Sequence, residues 1–209
     1  MRPLRLAPLL LLAAAAPAAA HPHVFVDARA HVVVNAAEEV ESVRVEWLFD
    51  ENYSLYAKDG LALDADRDGL LDEADRATLV EVHTDGMEAL GWFTFLRQSG
   101  AMQTLAKPED FEADMIGDRI VIRFTARPAA PLPLAELDAT LTLNDPTFFV
   151  AMTLRPDHFT FEGPEGCAAL YEPDETQLSV TSLFGMDMSE TAARSFGFTF
   201  ATEATLTCR

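Results

Sequence analysis

The chain reads as a mainly β protein of the α+β kind: an antiparallel β-sandwich with one helix-loop-helix insertion. Three observations lead there. Hydrophobic residues alternate with polar ones at a period of two in several stretches, and Gly, Pro, Asn and Asp punctuate the gaps between them. From about residue 50 to 99 the spacing changes to three and four, the period of a helix. Alternating strand-helix units, the mark of a parallel sheet, are few, so the strands are expected to close on one another as two antiparallel layers.

In chain order, residues 1–20 carry Arg2 and Arg5, a Leu/Ala run and Ala18-Ala19-Ala20, the layout of an export signal cleaved after Ala20. Its apolar run is short for a membrane span, and no later stretch approaches the roughly 18 uninterrupted apolar residues that crossing requires. Residues 21–209 are therefore expected to form one soluble, exported domain with the helical insertion at 50–99. The sequence has 15 Lys+Arg against 34 Asp+Glu, a formal net charge of −19. The leader holds two of those basic residues and no acid, so its removal makes the chain more acidic still. Such a charge argues against nucleic acid and anionic lipid as partners.

Val24 to Val34 alternates apolar even positions with Phe25, Asp27, Arg29 and His31, and predicts a first half-buried strand. Val43, Val45, Trp47 and Phe49 predict a second, joined to the first by a hairpin through Asn35 to Glu39. Asp50 to Lys58 suits a short helix. Asp72 can cap a longer one running through Leu79, Val82, His83, Met87, Leu90 and Phe93, with a kink or end near Gly91. His83 falls on its apolar face and reads as a core histidine. Strand periodicity resumes after Gly100, around Ile120 to Phe124 and Leu137 to Leu143, with a Pro-rich connection from Pro128 to Pro133 between them. Asn144-Asp145-Pro146 then turns the chain into Phe148 to Leu154, and a last strand spans Phe198 to Cys208.

Between the two helices lies the most specific stretch, the twelve residues from Asp64 to Asp75. Asp64, Asp66 and Asp68 stand at positions one, three and five, Gly69 at the sharp turn of six, the Leu70 carbonyl at seven, Asp72 at nine and Asp75 at twelve. This is the ligand spacing of an EF-hand-type calcium loop. Asp75 replaces the usual Glu and is one methylene shorter, so a modest affinity of the extracellular grade is expected. A single loop of this kind points to a structural calcium and not to a paired sensor.

Cleavage after Ala20 would expose His21-Pro22-His23, placing an amine and two imidazoles within three residues. In extended chain His21 and His23 lie on one side, about 7 Å apart at Cα. Pro22 has no N–H, which removes the chelate that needs a deprotonated second amide. Amine and imidazole suit nickel, cobalt, zinc or copper without choosing among them. Asp50, Glu51, Asp145 and His158 are further candidate ligands. His31 lies about 26 Å along the strand from His23 and cannot share an ion with it. Cys167 and Cys208, an even pair in an exported chain, read as a disulfide. Closing about 42 residues stabilises by roughly 4 kcal/mol in the chain-entropy account. The bridge is expected to fasten the last strand to an irregular stretch before it.

His21-Pro22-His23-Val24 after a leader, Trp47-x-Phe49-Asp50-Glu51, the Asp66-x-Asp68-Gly69 loop, Gly91-Trp92-Phe93, Asp145-Pro146-Thr147 and a late Cys167 together resemble a family of uncharacterised bacterial periplasmic proteins. That family is described as the periplasmic component of an ABC-type transport system and is associated with nickel/cobalt-type permeases. The resemblance implies a periplasmic location, a metal ion as ligand and an inner-membrane metal permease as partner. About 190 residues with few strand-helix units are small for a two-lobed solute-binding protein, so a non-enzymatic accessory that captures or delivers a divalent transition metal is the preferred expectation. Two alternatives stand beside it. One is a calcium-stapled interaction module without a transition metal, and the other is a copper-dependent secreted enzyme. No serine triad, zinc-protease helix or phosphate loop is found.

Overall fold

Strand β1 (Val24–Val34) follows its alternation closely: every even position is buried and the odd ones are half-buried or exposed. β2 (Val40–Phe49) returns antiparallel to it, with Val26 opposite Phe49 and Val32 opposite Val43. The predicted hairpin between them is shaped by Asn35, whose Oδ1 accepts from the backbone of Ala37 at 2.9 Å and of Glu39 at 3.1 Å. The computed structural model describes residues 23–171 and 203–209. The expected leader, His21, and Phe198 and Phe200 of the last predicted strand lie outside the described residues.

After β2 come helices α1 (Glu51–Gly60) and α2 (Glu73–Thr84) and a 3-10 segment, Met87–Phe93. Then follow β3 (Thr94–Gln98), β4 (Ala101–Gln103), β5 (Glu109–Ile116), β6 (Arg119–Ala126), β7 (Ala139–Leu143), β8 (Val150–Thr153), β9 (Phe159–Glu162), β10 (Cys167–Tyr171) and β11 (Glu203–Cys208). Two sheets result. The first has the order β5-β6-β2-β1-β8, with β9 also paired to β1, and the second has the order β10-β11-β7-β3-β4. Val32, Trp47, Ile122 and Phe124 from the first sheet share one apolar core with Leu96, Leu141, Leu143 and Leu206 from the second. Trp47 anchors that core, its ring 5.6 Å from Phe93 and 4.8 Å from Phe124, the latter edge-on. Each such large apolar side chain contributes about 1.5–3 kcal/mol when withdrawn from water. The predicted mainly β, sandwich-like fold is what forms.

Three local expectations are corrected. The sheets are not wholly antiparallel, because β8 and β9 both run parallel to β1, pairing with Val24 to Asp27 and with Ala30 to Val33. Alternation is the same in either direction, so it cannot reveal strand sense. The helix predicted from Asp72 to Gly91 stops at Thr84, where Gly86 takes a left-handed φ of 73°. Val82, assigned to its apolar face, is 48% exposed. The predicted helical stretch also ends at Phe93, since residues 94–98 form β3 in the second sheet. β4, β5, β9 and β10 were not legible as strands: they are short or, like β5, carry charged residues among the apolar ones.

Candidate metal sites

The loop between α1 and α2 starts at a buried Asp64. Its Oδ1 accepts from Gly69 N at 3.1 Å, an interaction that folds the loop back on itself, and Gly69 turns at φ 86° where a side chain would be strained. Carboxylate oxygens of Asp64, Asp66 and Asp68 lie within 4.8 Å of one another. Ligands held 2.3–2.6 Å from one ion are at most about 5 Å apart, so these three can hold a metal ion. The other predicted ligands are arranged differently. Asp72 and Asp75 form a reciprocal capping box at the start of α2, and Asp75 Oδ2 accepts from the backbone of Asp64 at 3.1 Å and of Asp72 at 3.2 Å. Leu70 donates its N–H to Asp68 Oδ1 at 2.8 Å while its side chain stands in solvent.

One participant was missed by the sequence reading. Lys58, in the last turn of α1, places Nζ 2.8 Å from Asp64 Oδ2. This hydrogen bond, helped by the Gly69 N–H and the lysine's charge, holds the Asp64 carboxyl below its ordinary range. A lysine one turn before an acidic loop is the available signal, but only the fold of the loop brings the two together.

A second group gathers at one end of the first sheet. β1 begins there, β2 ends there, and the turn before β8 lies beside them, because Val26 pairs with Phe49 and Val24 with Val150. His23 donates its N–H to Phe149 O at 2.9 Å, and its ring is 5.0 Å from that of Phe149. Asp50 accepts from Phe25 N at 2.9 Å through Oδ2 and from Tyr53 N at 3.0 Å through Oδ1, so it joins β1 to the start of α1. Asp145 is buried and accepts from Thr147 N and Oγ1, both at 2.7 Å, and from Val150 N at 2.9 Å. Glu51 is exposed in the first turn of α1. Phe25, Asp27, Asp50, Glu51 and Arg119 help line a cavity of about 380 Å³ at this end. The fold therefore brings His23, Asp50, Glu51 and Asp145 to one end of the sheet, and gives Asp50 and Asp145 backbone-holding roles.

His158 is elsewhere. It is buried halfway along β1, in the gap between β8 and β9, where its Nδ1 meets Ala28 O at 3.1 Å. Arg155, which can only donate, reaches its Nε2. In that arrangement Nε2 accepts and Nδ1 donates, so His158 satisfies the Ala28 carbonyl where the ladder passes from β8 to β9. Both of its ring nitrogens are engaged, away from the group at the sheet end. His83 is also structural: Nδ1 meets Leu79 O at 2.8 Å and Nε2 meets Tyr53 OH at 3.0 Å, with Phe49 packed edge-on at 4.9 Å. Burial pushes its pKa below the ordinary histidine value.

Cys167 and Cys208 are disulfide-bonded. They are direct cross-strand neighbours in β10 and β11, so the bridge ties two strands and not, as expected, a strand to an irregular stretch. None of the described helices is long and apolar enough to cross a membrane.

No curated protein matches this sequence. A family model described as "Protein of unknown function (DUF1007)" matches residues 6–208, nearly the whole chain, and the motifs gathered at the sheet end and in the acidic loop fall within that match. The chain belongs to the DUF1007 family.

Proposed function

We propose that this protein is an exported, periplasmic metal-binding accessory of a divalent transition-metal transport system, with a calcium ion as a structural fastener in the Asp64–Asp75 loop. The observation that carries the metal-binding reading is the mutual approach of the Asp64, Asp66 and Asp68 oxygens to within 4.8 Å. Calcium is the ion of choice because the donors are hard oxygens and an exported protein meets that ion at millimolar levels. The transition metal is assigned to His21 and His23, a site completed by signal cleavage before His21. The gathering of Glu51, Asp50 and Asp145 at the end of the sheet where His23 begins supports this placement. Glu51, exposed there, is the carboxylate best suited to supply an oxygen. In this reading the protein binds and hands over a nickel-, cobalt-, zinc- or copper-class ion to an inner-membrane permease and performs no catalysis.

Calorimetry on processed, metal-free protein tests both sites. Calcium is expected to bind and to raise the melting temperature, by linkage about 2.7 kcal/mol at a hundredfold excess over Kd. Asp66→Asn and Asp68→Asn should abolish that gain. Transition-metal affinity should fall with one extra Ala before His21, with His21→Ala and with His23→Ala. Equal affinity in all four terminal forms, with calcium binding intact, would leave a second reading: a calcium-stapled interaction module. The backbone engagement of Asp50 and Asp145 is the observation that favours it.

A further inference from the structure

The outer face of the first sheet forms a trough. β6, β2 and β1 lay its floor, and residues of the edge strands β5 and β9 rise on its two sides around a cavity of about 660 Å³. Strand register sets two rows of side chains across it. One row runs Glu112, Arg123, Glu46, Arg29, and the other runs Thr125, Arg44, His31, Thr160.

Charges in the first row are largely matched. Glu46 receives Arg123 Nε at 2.7 Å and lies 3.6 Å from Arg29 Nε. In the second row, His31 Nε2 lies 3.5 Å from Glu162 Oε2. His31 Nδ1 meets Thr160 Oγ1 at 2.9 Å, whereas Arg44, exposed between His31 and Thr125, has no ion-pair or hydrogen-bond partner among the described residues. On the β5 side, Asp110 and Glu112 also have no ion pair among the described residues. The pairing of β5 with β6 is irregular between Glu109 and Glu112, with Asp110 at φ 56°, and such bulges re-aim side chains.

An unpaired guanidinium on β2 thus stands two strand spacings, about 10 Å at the backbone, from the β5 carboxylates Asp110, which lies in the field of Arg127, and Glu112, which lies opposite Arg123. Long side chains on both sides narrow that gap to the reach of one small molecule. A dianion would be repelled by Asp110 and Glu112, and a diamine by Arg44. A molecule with one charge of each sign satisfies both sides. The volume falls within the range of about 300–1,000 Å³ typical of small-ligand sites. We propose that the trough binds a small zwitterion of the amino-acid or dipeptide class, with its carboxylate on Arg44 and its ammonium toward Asp110 and Glu112. This site uses none of the residues assigned to metal.

Calorimetry on processed protein, dialysed free of transition metals and saturated with calcium, tests the assignment. The probes are glycine, alanine and glycylglycine, with succinate and 1,4-diaminobutane as single-sign controls at matched ionic strength. At least one zwitterion is expected to bind more tightly than both controls. Arg44→Ala should weaken it about tenfold or more, because a charge-assisted contact is lost, while Arg97→Ala on the second sheet should leave affinity unchanged. Succinate or diamine binding as tightly as every zwitterion, no zwitterion binding at millimolar concentration, or an Arg44→Ala protein that binds like wild type would each overturn the proposal.

Discussion

Lys58 and His83 show how single side chains set the electrostatics around α1 and α2. Lys58 stands where a cation relieves the repulsion among Asp64, Asp66 and Asp68, so it competes with any metal for Asp64 Oδ2. Lys58→Met keeps the length of the chain and removes the charge, and calcium should then bind more tightly, by roughly three- to tenfold for a partly exposed pair. Titration calorimetry of the variant reads this directly, and unchanged or weaker affinity would show that Lys58 does not compete. His83 acts on stability. Its folded pKa lies below the ordinary value because burial disfavours the charged ring. The unfolded chain therefore binds the proton first as pH falls through about 6.5, and stability is lost from there down toward the folded pKa. Urea unfolding from about pH 7.5 to 5 should show this loss, and His83→Gln should flatten it. A parallel decline in the two proteins would assign the effect to other groups.

At the scale of elements, the connection from α2 into β3 is held by glycines with different demands. Gly86 ends the helix at φ 73° in open space, so Gly86→Ala meets only the backbone penalty of a left-handed residue, about 1–2 kcal/mol. Gly91, at φ 63°, would in addition place a Cβ 2.6 Å from the Phe95 ring. Trp92 and Phe93, also left-handed, follow at once and carry their rings into the core beside Phe111 and Trp47. Gly91→Ala is therefore expected to destabilise by about 2–4 kcal/mol, with overpacking added to the backbone cost. Denaturant midpoints for the two variants rank them, and equal losses would mean that Phe95 moves aside freely.

Across the whole molecule, a covalent tie adds to the pairing of the strands. Cys167–Cys208 fastens β10 to β11, at the edge of the second sheet opposite β4. Its loss should cost about 2–4 kcal/mol. Cys167→Ser/Cys208→Ser protein is expected to unfold at a lower temperature with its far-ultraviolet dichroism unchanged below the transition. An unshifted melting temperature would show that β-pairing alone suffices there. Non-reducing mass analysis of the purified protein should find no free thiol.

Features dictated by neighbours along the chain were open to reading from residue order. The alternation in β1, β2 and β6, the Asn35 hairpin, the cap at Asp72 and the acidic loop all depend on contacts within a few residues or on burial of one strand face. The pairing of Cys167 with Cys208 was legible for another reason: the sequence holds two cysteines, which leave one intramolecular choice. Features dictated by residues far apart in sequence were closed to it. Parallel pairing of β8 and β9 with β1, His158 bonded to Ala28 across 130 positions and the trough around Arg44 arise only once the sheets assemble. Periodicity records which face of an element is buried. It carries no information about the partner strand or its direction, and so none about which polar side chains meet across the sheet.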